Sequence, residues 1–433
     1  MSTITYLRES RAAERQDEIS AYCDELFTIF ARSDQRRWGE VYLRGLLSTP
    51  GRKTPGAISE QVLGRRAPQP IQQFVNQSTW PAHTLRQRLT EQMCAVAPPR
   101  AWALDEVVFP KNGSRSVGVA RQFAPTQGRV MNCQLALATS LVHADGSLPV
   151  NWRLLMPRSW DSDEDLRDGA HVPSHEQHRP RWRYALDSLD EMFGGWDVPT
   201  APVLADWRFE PDARQLLAGL EERDLHYLVE VGPQTTLPVR PAALRAAPPA
   251  DASPVASVAD GLGRHLDRAV LNWRHHHGAR SSRSQFLVAQ LGRCAAVHAR
   301  QPARPRHLVL EWPFGHARPR RYWVTDLSAQ RLSETIALAE LRHHSAHGCD
   351  RLHQDYGLGD FEGRSFPGWH HHVTLVSAAR GFHALQQLQS DAADPAGSRP
   401  STSDQGGNRW TSRKSTTTSS SVPEAPAASS PGA

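Results

Sequence analysis

The spacing of apolar residues changes character once along this chain, near Trp102, and that change limits the folds open to it. Before it, apolar residues recur with a helical period. Ile19, Tyr22, Leu26, Ile29 and Phe30 line one face of a helix expected over 10–32. A second helix is expected over 32–47, with Asp34 as a plausible cap, and a turn-rich break follows at 48–56. Two more helices are expected in "QPIQQFVNQSTW" and "PAHTLRQRLTEQMCAV", the latter with Pro81 near its first turn. The spacing thus predicts a helical region over residues 1–97.

After Trp102 the period becomes that of strands. Residues 102–109, 132–142 and 148–157 read as three strands in succession. Helices at 179–193 and 212–224 then alternate with strands at 201–209 and 226–232. Three strands followed by alternation indicate an α/β or α+β fold with a mixed five-stranded sheet. The chain has 433 residues, beyond the ~250–300 at which a single core usually stops growing, so more than one unit is expected. From 233 to 306 the pattern fades into Pro, Ala, Arg and His. It returns as strands at 307–312 and 321–327 and helices at 333–346 and 368–388. The stretch 390–433 is Ser, Thr, Pro, Gly and Ala with too little apolar surface to offset ordering entropy, and reads as a disordered tail.

Several functional classes are disfavoured at once. The longest apolar runs fall short of the ~20 residues of a membrane span. The N-terminus is charged from residue 8 and has no secretory apolar core. Five scattered cysteines with no CxxC pair suggest free thiols in a reducing compartment. Phosphate-binding loops of the GxGxxG and Walker types are absent, so no nucleotide cofactor is inferred. The net charge of +5 is too small over this length to indicate a partner.

Carboxylates offer the first candidate chemistry. Asp105 and Glu106 lie in the first strand, and alternation lets only one of them face a given site. Asp206 lies near the end of a later strand, where α/β sheets usually place functional groups. Acidic residues converging from two strands suit Mg²⁺, although each also reads as a solvated carboxylate. The histidine runs at His275–His277, His343–His344 and His370–His372 lack an HExxH spacing and read as surface or capping residues. Basic pairs interleave with aromatics: Arg36, Arg37, Arg52, Lys53, Arg65, Arg66, Arg86 and Arg88 with Trp38, Phe74 and Trp80, and Arg318, Arg320 and Arg321 beside Tyr322 and Trp323. Such groups suit phosphate contact and base stacking, and equally suit solvated helix faces.

Longer phrases carry a more specific signal. "DQRRWGEVYLRGLL", "QQFVNQSTW", "FPKNGSRSVGVARQF", "GRVMNCQLA", "VNWRLLMPRSW" and "LGDFEGRSFPGWHHHVTLV" resemble the bacterial insertion-sequence transposases with a DDE endonuclease domain, over about 24–232 and 307–380. The resemblance implies an RNase H-like mixed sheet with flanking helices, preceded by a helical DNA-binding region (1–97). The catalytic domain is then split into 98–232 and a last catalytic helix region at 328–389, around a partly irregular, β-rich insertion at 233–327. It implies cytoplasmic, nucleoid-associated action on double-stranded DNA, both element ends and target, by a homodimer. Cleavage and strand transfer would use two Mg²⁺ or Mn²⁺ ions held by three carboxylates.

Carried over residue by residue, the first ligand falls on Glu106, with Asp105 as the substitute, and the second on Asp206. Bulky Trp207, Arg208 and Phe209 follow Asp206 where a small turn is usual. Arg342 matches the arginine of the last catalytic helix. The glutamate expected four residues later is Ala346, and the later lysine is His353. Asp350, one turn beyond Ala346, is the remaining acidic candidate. DNA contacts would fall on Arg36, Arg37, Arg52, Lys53, Lys111, Arg121 and Arg342. Two functions stay open: a transposase, intact or degenerate, and a transposase-derived DNA-binding protein without catalysis.

Overall fold

The computed structural model describes residues 3–144, 146–237, 253–262, 269–274, 281–291 and 304–393. The tail expected at 390–433 lies outside the described residues from 394 onward, as do His275–His277 and Cys294.

The helical region comprises α1 (Thr3–Leu26), α2 (Ser33–Ser48), α3 (Pro55–Leu63), α4 (Pro68–Asn76) and α5 (Ala82–Val96). Helix α3 falls just after the expected turn-rich break. Thr54 caps it by accepting a hydrogen bond from the Ala57 amide, and Pro55 opens it. Strands β1 (Ala101–Pro110), β2 (Ala120–Ala124), β3 (Arg129–Val142) and β4 (Ser147–Leu155) follow. Next come α6 (Glu164–Gly169), α7 (Arg181–Asp190), β5 (Val203–Trp207), α8 (Arg214–Glu222) and β6 (Tyr227–Val231). A two-stranded pairing of β7 (Thr236–Leu237) with β8 (Ser253–Pro254) precedes α9 (Val255–Leu262). The chain continues with β9 (Ala269–Arg274), β10 (Ser281–Leu291), β11 (Arg306–Pro313) and β12 (Arg321–Thr325), then α10 (Leu332–Asp355) and α11 (Phe366–Ala393).

One mixed sheet organises these elements, in the order β2–β3–β1–β5–β6–β12–β11–β10–β9, with β4 also pairing to β3. The expected five strands are its centre: β4 pairs antiparallel with β3 and β3 antiparallel with β1, and then β1, β5 and β6 run parallel. The β-rich stretch after 233 continues the same sheet, because β12 pairs with β6 along Thr325–Tyr322. No described helix is long and apolar enough to cross a membrane.

Strand alternation sends the two faces of β1 into different cores. Leu104, with Leu137 of β3, packs against α7 and α8. Ala101 and Ala103 pack with Leu332, Ile336 and Leu341 of α10. Val107 and Phe109 join a third core, shared with the N-terminal helices and α11.

Helix α11 holds the helical region to the sheet. Trp369 is fully buried, with its ring edge-on to Phe109 (5.6 Å between centroids) and to Trp152 (6.5 Å). Buried Arg86 of α5 donates to Thr374 Oγ1 (2.8 Å), His370 Nδ1 (2.8 Å) and the Trp152 carbonyl (2.9 Å). Burial pushes its pKa down to about 9. His371 and His372 are buried, not superficial as the sequence suggested. His372 Nε2 donates to the Leu358 carbonyl (3.1 Å), so its Nδ1 accepts from the Tyr42 hydroxyl (2.8 Å). Trp369→Ala is expected to cost about 3–5 kcal/mol, as for other large-to-small aromatic core changes. Urea unfolding followed by helical circular dichroism would read that loss.

Candidate active site

The parallel registers place three acidic residues side by side. Leu104 pairs with Ala205, so Asp105 and Asp206 are neighbours, and Asp206 pairs directly with Glu230 of β6. All three share the sheet face on which Ala103, Leu204 and Leu228 contact α10. Glu106 faces the other way. Its carboxylate pairs with Arg181 of α7, which also holds Glu210 (3.0 Å) and lies over the Trp207 ring. The structure therefore separates Glu106 from Asp206 and brings Asp105 to it.

Arginine occupies the space between the paired carboxylates. Arg342 Nη2 of α10 lies 3.0 Å from Asp105 Oδ1 and 3.0 Å from Asp206 Oδ2. Arg208 grips Asp206 from the strand end, with Nε 2.9 Å from Oδ1 and Nη2 2.7 Å from Oδ2. Its Nε is also 3.7 Å from Glu230 Oε1, and Arg321 of β12 approaches that same oxygen at 3.9 Å. The Ser345 hydroxyl donates to Asp105 Oδ2.

These surroundings move the two aspartates in opposite directions. Burial raises the Asp105 pKa, outweighing the Arg342 charge and the Ser345 hydrogen bond. Burial opposes ionisation of Asp206 too, but hydrogen bonds from Arg208 and the Arg342 charge hold its pKa at about 2. Burial likewise raises the Glu230 carboxyl. Ala346, next to Ser345 on α10, offers no oxygen. Asp350 is exposed, and its charge reaches Asp105, further disfavouring ionisation there.

The expected DNA contacts divide by exposure. Arg36, Arg37, Arg52 and Arg121 are exposed. Arg52 lies 3.6 Å from Asp360, and Arg37 stands over the Trp38 ring. Lys53 is buried and donates to the Thr49 carbonyl. Lys111 Nζ donates to the Phe361 carbonyl (2.9 Å), and Arg342 belongs to the carboxylate site. Among the aromatics read as stacking groups, Phe74, Trp80, Tyr322 and Trp323 are core residues.

Residues 25–276 match the family described as DDE superfamily endonuclease, more than half of the chain. The chain belongs to this family. A cryo-EM structure titled as a piggyBac transposase synaptic complex with hairpin DNA aligns at a TM-score of 0.43 and 10% identity, over 88% of this chain and 74% of that one. A search of curated proteins finds no match.

DDE superfamily endonucleases generally use divalent metal ions. The donor set here does not suit a metal pair. Asp105 and Asp206 are already neutralised by guanidinium groups, and position 346 carries a methyl group. Among the described residues, no three His, Cys, Asp or Glu side chains gather as a metal-binding group.

Sequence reasoning did not pick out Glu230, Ser345 or the neutralising role of Arg208. Only Glu230 left a signal, since alternation within "YLVEV" puts it on the face of Leu228.

Two outcomes follow from the electrostatics. Arg342→Met leaves Asp105 buried without its counter-charge and is expected to cost about 3–5 kcal/mol; adding Asp105→Asn should recover much of that, as read by urea unfolding. Asp206 titrates near 2 when folded, against about 3.9 when unfolded. Its ionisation thus contributes stability that is fully present above the unfolded value and is lost as pH falls through the folded one, roughly 2–3 kcal/mol in all. Asp206→Asn should flatten that part of the acid limb in unfolding measured against pH.

Proposed function

We propose that this DDE-family chain is a transposase-derived protein of insertion-sequence type that binds the duplex ends of its element but does not cut or join DNA. The observation that carries this reading is the Arg342 guanidinium, 3.0 Å from both Asp105 and Asp206, one helical turn before Ala346. Metal-dependent phosphoryl transfer needs anionic oxygens free to hold the ions that stabilise the attacking and leaving groups. In this site Arg342 and Arg208 balance the charge of the paired aspartates, and a third carboxylate is lacking at 346. Asp105 and Asp206 act in this reading as partners for arginine, fixing α10 to the centre of the sheet. The exposed Arg36, Arg37, Arg52 and Arg121 supply phosphate contacts, and the protein acts as a dimer on paired ends.

The test uses the full chain, Mn²⁺ and labelled duplexes from the flanks of its own gene. Expected are retention of duplex DNA that weakens steeply with salt, and no nicking or strand transfer. Cleavage abolished by Asp206→Ala would overturn the inactive reading. If Asp350→Ala abolished it as well, Asp350 would be the third acidic group of a working site. Cleavage gained by Ala346→Glu would support position 346 as the place where catalysis was lost.

A further inference from the structure

Five large apolar side chains stand exposed among the described residues, and three of them gather beside the carboxylate site. Single exposed apolar residues are ordinary; a cluster is not. Phe123 of β2 is 47% exposed, and its register partner Val130 of β3 is 53% exposed. Phe209, three residues after Asp206, is 49% exposed and meets Phe123 edge to face, with 6.3 Å between ring centroids. The β2–β3 hairpin thus touches the loop that leaves the end of β5.

Positive charge frames this pair. The Arg208 guanidinium, which grips Asp206, lies over the Phe209 ring at 5.6 Å. Arg121 is exposed and, two residues from Phe123 on the same strand, shares its face. A continuous path therefore runs from Asp206 through Arg208 and Phe209 to Phe123 and Arg121. Exposed ring faces beside guanidinium groups match the chemistry of single-stranded nucleic acid, in which a base offers a π-face and the next phosphate a charge. A protein partner with an apolar face would leave Arg121 buried without an anion.

We propose that Phe123 and Phe209 form a stacking platform for an unpaired base at the end of a DNA strand, with Arg121 contacting the adjoining phosphate. The proposal rests on the DNA-binding reading above and adds that the protein distinguishes frayed or overhanging ends from blunt ones. Stacking on aromatic rings is indifferent to base identity, so the preference is for an end structure rather than a sequence.

A thermodynamic cycle tests it with the full chain, by fluorescence anisotropy on a duplex with a short single-stranded end and on the same duplex with abasic sites in that end. Wild-type protein is expected to bind the end carrying bases about tenfold more tightly, within the range for one stacked base. Phe123→Ala and Phe209→Ala are expected to abolish that difference, with the two losses non-additive. Phe123→Tyr should keep the difference, and Phe123→Leu, which retains bulk without a ring, should lose it. Equal wild-type affinity for the two ends would overturn the platform while leaving duplex binding intact. So would variant losses of the same size on the abasic end. Self-association of the free protein that Phe209→Ser abolishes would assign the patch to a second copy of the chain instead. Failure to bind any DNA would overturn the DNA-binding reading and the platform with it.

Discussion

One guanidinium set between a buried carboxylate and a half-buried one determines how the centre of this molecule is arranged. Asp105 and Asp206 sit at matching heights on adjacent parallel strands, where unrelieved like charge would be severely unfavourable in a low-dielectric interior. Arg342 lies between them, and Arg208, Glu230 and Arg321 carry the alternation of charge sideways along the sheet. Because Arg342 belongs to α10, this polar row also sets how far that helix slides along the sheet. Ser345 and the apolar residues Leu332, Ile336 and Leu341 then settle on the same face.

The same arrangement explains why the acidic pair differs from its surroundings in chemistry. Asp206 is held strongly ionised by two arginines, whereas Asp105, deeper and within reach of Asp350, resists ionisation. A cluster that satisfies its own charges has little attraction left for a cation. The four strands beyond β6 cover its outer edge, so that Glu230 lies on an interior strand of the wider sheet.

Much of the fold was legible in the spacing of residues, and the limits have physical causes. The long amphipathic helices and the strands of the five-stranded centre declare themselves by period. Strand β2 is too short and polar to do so, and α3 hides behind the prolines and glycines before it. The strands after 233 have the right residue types, but joining them to β6 is a long-range pairing that local pattern does not encode. In the site, alternation showed that only one of Asp105 and Glu106 could face Asp206. Choosing between them required knowing which face α10 covers. Basic residues were harder still, because Lys53 and Arg86 look in sequence like Arg36 and Arg37, yet lie in the interior as hydrogen-bond donors.

Helix α11 carries a consequence for the order in which the protein is made. The N-terminal helices find their covering surface in Trp369, His371, His372 and Phe382, about 270 residues or more after α5 ends. During synthesis those helices leave the ribosome long before their partner does, with their apolar faces still uncovered. Packing of the N-terminal helical region is therefore a late event, coupled to the arrival of α11. A chain interrupted before α11 would leave the N-terminal helices without the surface that covers their apolar faces, so it could not hold them in their folded arrangement.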